Sequence, residues 1–236
     1  MSAPITTAMV LAAGLGTRMR PLTLDRPKAL VEVGGRALID HMLDRLQAAG
    51  VTRAVVNVHA FADRLEAHLR HRSDLEVVIS DERDALLETG GGIVKALPHF
   101  AGQPFFCANI DSLWRETQPP SLQALATAFD TDRMDGVLWL ADRKTALGYA
   151  GRGDASLDPD GRLQFRGDRP EAPYVYCGVQ ILHPRLFADA TPGRQSLHPF
   201  WQRAERAGRL YGLPMPGRWM HVGDPDARAD AEAAWA

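Results

Sequence analysis

Leu11-Ala-Ala-Gly-Leu-Gly-Thr-Arg-Met-Arg20-Pro-Leu-Thr-Leu-Asp-Arg-Pro-Lys-Ala-Leu30 is the stretch that decides the fold, and it follows directly on a short apolar run, Thr7–Leu11, that reads as a strand. Gly14 and Gly16 let the backbone come close to a ligand. Arg18 offers a planar fork to phosphate oxygens, and Lys28, set after Pro27, offers a compact charge. Pro21 and Pro27 preclude a helix immediately after the loop, so no helix dipole stands ready for an anion and the cations must supply the attraction. The third glycine of the dinucleotide fingerprint is absent, as is the single-line P-loop pattern. A strand running into a bent loop with two cations implies a grip for a polyphosphate.

Outward from this stretch the chain alternates between strand and helix patterns. Strands are expected at Thr7–Leu11, 54–58, 75–80, 104–108, 136–140, Tyr174–Leu182 and 210–213. Helices are expected at 37–49, where Leu38, Met42 and Leu46 share a face, and at 62–70, 91–97, 121–129, 199–207 and Pro225–Trp235. The last should be capped by Asp224, with Pro225 at its first position. The segment 143–169 is rich in Gly, Asp and Arg, and a hairpin pairing Ala155–Leu157 with 162–165 is expected around Asp158-Pro-Asp-Gly161. The pattern predicts an α/β fold: a mainly parallel sheet with helices on both faces and ligands beyond the carboxyl ends of its strands. Residues 1–236 read as one domain, with an insertion around 143–173.

Composition narrows the function classes. The formal net charge is −2, which gives no general attraction to nucleic acid or to anionic membranes. No apolar stretch is long enough to span a bilayer, and no signal peptide is evident, so a cytoplasmic location is expected. Cys107 and Cys177, the only two cysteines, lie in apolar runs and read as buried reduced thiols. Lysine occurs only at positions 28, 95 and 144 in a chain with 27 Lys and Arg together. Against that arginine bias the retained Lys28 hints that ammonium geometry matters there, whereas Lys95 and Lys144 read as surface residues.

Residues 11–30 resemble the signature loop of the sugar-1-phosphate nucleotidyltransferases. Asn57-Val-His59, Leu87-Glu-Thr-Gly-Gly-Gly-Ile93, Gly151-Arg-Gly-Asp154 and Leu182-His-Pro184 resemble, more narrowly, the bacterial N-acetylmuramate-1-phosphate uridylyltransferases. The resemblance implies a Rossmann-like mixed sheet of the nucleotide-diphospho-sugar transferase type. It also implies attack of a sugar-1-phosphate oxygen on the α-phosphorus of a nucleoside triphosphate, with pyrophosphate leaving. Two polyanions must meet, so cations are the main requirement. Arg18 is assigned to the triphosphate and the developing pyrophosphate, and Lys28 to the α-phosphate and the attacking phosphate. Ala12, Ala13, Gly14, Leu15, Gly16 and Thr17 form the loop around the nucleotide.

The same resemblance implies Mg²⁺, with Mn²⁺ as an alternative, bound at Asp111 past the end of a strand. The second ligand departs from the pattern: relatives carry an aspartate in a Trp-x-Asp-x-Gly segment, and here Trp219-Met-His-Val-Gly places His221 there. Ile110 likewise replaces a glycine before the first aspartate. Imidazole suits magnesium poorly. His221 could hold the ion through water, or Asp224 could substitute.

For the base, Glu82 could accept an N–H from its edge, and the turn carrying Thr89, Gly90 and Gly91 could lie flat beneath it, with the Gly91 N–H donating to a base carbonyl. Asn109, Gly153, Asp154 and Tyr176 are the sugar candidates; Asn57 is a weaker one, and His59 reads as structural. A mannose- or heptose-1-phosphate guanylyltransferase and a non-catalytic nucleotide-sugar sensor remain alternatives. The sequence leaves the oligomeric state open.

Overall fold

The computed structural model describes residues 4–115 and 121–235. In chain order its strands are β1 (Thr7–Leu11), β2 (Glu32–Val33), β3 (Arg36–Ala37), β4 (Arg53–Val58), β5 (Glu76–Asp81), β6 (Phe105–Asn109), β7 (Ser112–Trp114), β8 (Gly136–Asp142), β9 (Ala155–Leu157), β10 (Leu163–Phe165), β11 (Tyr174–Leu182), β12 (Leu210–Pro214) and β13 (Trp219–His221). The helices are α1 (Leu38–Ala48), α2 (Ala62–Leu69), α3 (Glu88–Ala96), α4 (Ser121–Ala128), α5 (His198–Arg206) and α6 (Pro225–Trp235).

The main sheet runs in the order β10-β9-β11-β6-β1-β4-β5, with β8 pairing with β11 off this path and β12 pairing with β8. Strands β6, β1, β4 and β5 are mutually parallel, while β11 lies antiparallel to both β6 and β8. Alternation along the strands explains why both faces are covered. Ala54, Val56 and Val58 pack into a core shared with α1, α2 and α4, while Val55, between them, packs into a second core with α3 and α5. Cys107 and Cys177 are buried and unpaired, as their apolar runs imply.

The predicted elements are present, with ends shifted by at most three residues. Asp224 caps α6, its Oδ1 accepting from the Ala227 N–H at 2.9 Å. The β9–β10 hairpin extends the edge of the sheet, and the Asp158 carboxylate accepts from the N–H groups of Asp160 and Arg162 in its turn. Two features differ from expectation. Helix α3 begins at Glu88, so the Glu88-Thr-Gly-Gly-Gly92 segment is helix and not a separate turn. The second is the small β7–β13 sheet, which pairs Ser112 with His221 across more than a hundred residues.

Candidate active site

The carboxyl ends of β1, β4, β5 and β6 open onto a cavity of about 420 Å³. Its floor is the loop after β1. Gly16 takes a left-handed φ of 64° and starts a 3₁₀ turn, Thr17–Met19, that is anchored by the fully buried Met19. The Gly16 carbonyl accepts from the Thr23 hydroxyl at 2.8 Å, closing the loop on itself. Gly14, Leu15, Thr17 and Arg18 line the cavity, and all four are exposed. The N–H groups of Gly14, Leu15 and Gly16 make no hydrogen bond within the described residues, so they remain available to an anion.

Ala12 and Ala13 also line the cavity, but their N–H groups are already used. Both donate to Asn57 Oδ1, at 2.7 and 3.2 Å. Asn57 thus carries more weight than the sequence suggested; the signal available was an amide inside the otherwise apolar Arg53–Val58 strand. His59 is structural as expected, its Nδ1 lying 2.6 Å from the Glu82 carbonyl oxygen.

Lys28 follows Pro27 into a second 3₁₀ turn, Lys28–Leu30, and projects into the cavity. Its Nζ lies 2.7 Å from Asp111 Oδ2 at the end of β6. Asn109 and Ile110 line the wall beside it. The small β7–β13 sheet holds His221 close to this pair: the Val222 N–H donates to the Asp111 carbonyl at 2.9 Å. The His221 ring packs against Trp219, and a Cβ on Gly223 would come within 2.5 Å of its Nε2. Burial lowers the His221 pKa; Asp111 opposes this, while Lys28 and Arg18 add to it. His221 does not itself line the cavity wall.

At the other end of the cavity stand Glu82, Glu88 and Thr89. Glu82 is 2% exposed, and both its oxygens are engaged: Oε1 accepts from Asn57 Nδ2 at 2.8 Å and Oε2 from the Leu87 N–H at 3.1 Å. A base could therefore reach only the lone pairs left over. Thr89 Oγ1 accepts from the Leu197 N–H at 3.1 Å, and Glu88 pairs with Arg194 at 2.8 Å.

Gly90 and Gly91 correct an expectation. The Gly91 N–H, assigned to a base carbonyl, donates instead to the Gln195 carbonyl at 3.0 Å. A Cβ at Gly90 would stand 2.6 Å from the Ser196 oxygen, and one at Gly91 would overlap the Gly193 oxygen. These glycines admit the 193–197 segment against α3. Nothing in the sequence announced that contact.

Gly153, Asp154 and Tyr176 are likewise not brought to the cavity wall. Gly153, at φ 81°, passes so close to Ala172 that a Cβ would overlap its carbonyl oxygen. Asp154 Oδ2 accepts from the Tyr176 N–H at 2.9 Å, tying the hairpin to β11, and burial raises its carboxyl above the ordinary range. The Tyr176 ring packs edge-on against Trp201 at 5.0 Å. A loop that crosses a strand end and carries polar turn residues has the same sequence whether it contacts a sugar or holds a sheet edge.

The relatives now bear on this geometry. Residues 8–210 match the MobA-like NTP transferase domain. The chain belongs to that family. This nucleotidyltransferase is 55% identical, over 96% of its length and 95% of the relative's, to the N-acetylmuramate alpha-1-phosphate uridylyltransferase of Caulobacter vibrioides. It is 36% identical to the protein of the same name from Neisseria meningitidis serogroup B, over 97% of this chain and 99% of that one. Among solved structures, the inositol-1-phosphate CTP transferase from T. maritima superposes with a TM-score of 0.77 at 20% identity, covering 98% of each chain, which shows the shared fold.

The family generally uses a divalent cation, and Asp111, whose Oδ2 also meets Lys28, is the carboxylate beside the phosphate loop that could hold one. Magnesium is commonly held by one or two carboxylates, with phosphates and water completing an octahedron. Asp111, its side chain 19% exposed, supplies one such carboxylate at the cavity. No group of three or more His, Cys, Asp and Glu side chains suited to a metal occurs among the described residues. His221 adds a nitrogen and no hard oxygen, and Asp224 is taken up by the α6 cap. No helix of the described residues is long and apolar enough to cross a membrane.

Proposed function

We propose that this nucleotidyltransferase converts UTP and N-acetylmuramate α-1-phosphate to UDP-N-acetylmuramate and pyrophosphate, in the cytoplasm, on sugar recovered from the cell wall. The observation that carries this reading is the near full-length 55% identity to the Caulobacter vibrioides protein of that name. In this reading residues 1–236 act as one domain, and the 143–173 insertion shapes the sugar end.

The attacking oxygen belongs to the sugar phosphate, which is already ionised at neutral pH, so no general base is required. It forms a bond to the α-phosphorus while the bond to the β-phosphate bridging oxygen breaks, and the charge moves onto pyrophosphate. Arg18, exposed on the cavity floor, meets that developing charge. Lys28 turns from Asp111 to the α-phosphate and the incoming phosphate. The unbonded N–H groups of Gly14, Leu15 and Gly16 cradle the triphosphate. Magnesium held at Asp111 would supply further charge neutralisation to the phosphates. Thr89 and Leu15 flank the base, and Asn109 meets the sugar. Asp154 and Gly153 act one step back, fixing the hairpin against β11.

A matrix of nucleoside triphosphates (UTP, GTP, CTP, dTTP) against the 1-phosphates of N-acetylmuramate, N-acetylglucosamine, glucose and mannose, followed by pyrophosphate release, tests the reading. UTP with N-acetylmuramate α-1-phosphate should give the highest kcat/KM, by about tenfold or more. A maximum at GTP with mannose 1-phosphate would overturn it.

A further inference from the structure

We propose that Asn57 and Glu82 are positioning residues that hold the phosphate loop and the base end of the cavity in one register, an inference resting on the nucleotidyl-transfer reading above. Four hydrogen bonds make the connection. Asn57, 3% exposed, accepts from the N–H groups of Ala12 and Ala13 at 2.7 and 3.2 Å through Oδ1. Its Nδ2 donates to Glu82 Oε1 at 2.8 Å, and Glu82 Oε2 accepts from the Leu87 N–H, the residue before α3, at 3.1 Å. The chain of contacts runs from the exit of β1, through the ends of β4 and β5, to the entry of α3.

Glu82 is an unusual choice for this place. Its carboxylate is buried, and no cation lies within ion-pair distance among the described residues. A buried carboxylate is costly, and its donors here are all neutral N–H groups. Its chemistry supplies the reason. A carboxylate only accepts, so the Asn57 NH₂ must face Glu82, and the Asn57 oxygen must then face the loop. The Ala12 and Ala13 N–H groups ask for the same sense, and an amide side chain at position 82 would have to turn its NH₂ toward one of two donors, Asn57 Nδ2 or the Leu87 N–H. Helix α3 closes over the pair: a Cβ on Gly92 would lie 2.8 Å from Glu82 Oε1 and 2.9 Å from Asn57 Nδ2. With Ala12 and Ala13 fixed, the next N–H groups, at Gly14 to Gly16, are aimed at the anion. The Leu87 contact sets the start of α3, and with it Glu88 and Thr89, against the same reference.

This topology has one transposed equivalent. In Asn57→Asp with Glu82→Gln, the new carboxylate accepts from Ala12 and Ala13 and from the new side-chain amide, whose oxygen accepts from Leu87. Every donor finds an acceptor and the net charge is unchanged. Each single variant leaves one mismatch: two facing acceptors in Asn57→Asp, two facing donors in Glu82→Gln.

The experiment is steady-state turnover of UTP in the parent, both single variants and the double variant, with amide hydrogen exchange at Ala12, Ala13 and Leu87 measured on the same proteins. The single variants should lose about tenfold or more in kcat with KM for UTP changed less than about threefold, because misplaced donors fail mainly in the transition state. The double variant should return to within about threefold of the parent, and protection of the three amides should fall in the singles and recover in the double. Losses that simply multiply in the double variant overturn the proposal. So does a changed base preference in Glu82→Gln with Asn57→Asp fully active, which would make Glu82 a base contact. If the parent makes no nucleotide-sugar, the functional reading fails, and the exchange data alone decide the relay: unprotected amides at Ala12 and Ala13 in the parent reject it.

Discussion

Lys28 Nζ stands 2.7 Å from Asp111 Oδ2, with the two side chains only 11% and 19% exposed. The pair joins the phosphate loop to the end of β6, 83 residues away. Each member is assigned a partner of its own in catalysis: phosphate for Lys28, a hard cation for Asp111. In the proposed reaction phosphate would draw Lys28 away and leave the Asp111 carboxylate to the cation, an exchange of partners.

Lys28→Arg tests that exchange. The guanidinium fork keeps the charge but prefers two-point contact with the Asp111 carboxylate, and it is too broad to sit between two phosphates. Turnover should fall about tenfold or more while the thermal midpoint holds, measured by pyrophosphate release and a melting curve. Full activity would show that charge alone suffices.

Arg18 presents the opposite case. It is exposed on the cavity floor and makes no hydrogen bond or ion pair within the described residues. Arg18→Ala should cut kcat by about 10², comparable to losing one preorganised charge donor, and leave stability within about 0.5 kcal/mol. Parallel kinetics and denaturant titration would check both halves.

The sheet and its helices were legible because apolar residues recur with the period of each element, as in Arg53–Val58 and Leu38–Ala48. The loop cations were legible because residue type and spacing carry the chemistry directly. The base and sugar ends were not. Gly90 and Gly91 look the same whether they admit a base or the 193–197 segment. The three-residue strands β7 and β13 carry no periodic signal, yet their pairing is what brings His221 beside Asp111. Contacts between residues a hundred apart are a property of the assembled fold.

His221 makes the acid limb of stability predictable. Burial lowers its pKa from 6.5, so the folded state takes up its proton less readily than the unfolded chain does. That contribution is complete above about pH 6.5 and is lost as the pH falls from there through the lowered folded value. His41 and His183 are lowered by burial as well and act in the same sense. His221→Gln should flatten the decline in melting temperature between about pH 6.5 and 5 without abolishing it. An unchanged slope would remove His221 from the set.

The metal assignment predicts a gain of function. His221→Asp would place a second hard oxygen donor next to Asp111. The magnesium concentration for half-maximal rate should fall, while in the parent manganese should serve at least as well as magnesium. Asp111→Asn should abolish turnover at ordinary magnesium. Metal titrations of the three proteins decide it; weaker magnesium activation in His221→Asp, with Asp111→Asn unaffected, would misplace the site.

The proposed reaction is uridylyl transfer in the cavity at the ends of β1, β4, β5 and β6. Phosphorus NMR of the parent protein with UTP, N-acetylmuramate α-1-phosphate and magnesium tests it most directly. UTP and sugar-phosphate signals should decay together as pyrophosphate and the coupled diphosphate of UDP-N-acetylmuramate appear in equal amounts. Unchanged UTP under magnesium and manganese alike, in a protein that still binds UDP-N-acetylmuramate, would contradict it and leave a nucleotide-sugar sensor in its place.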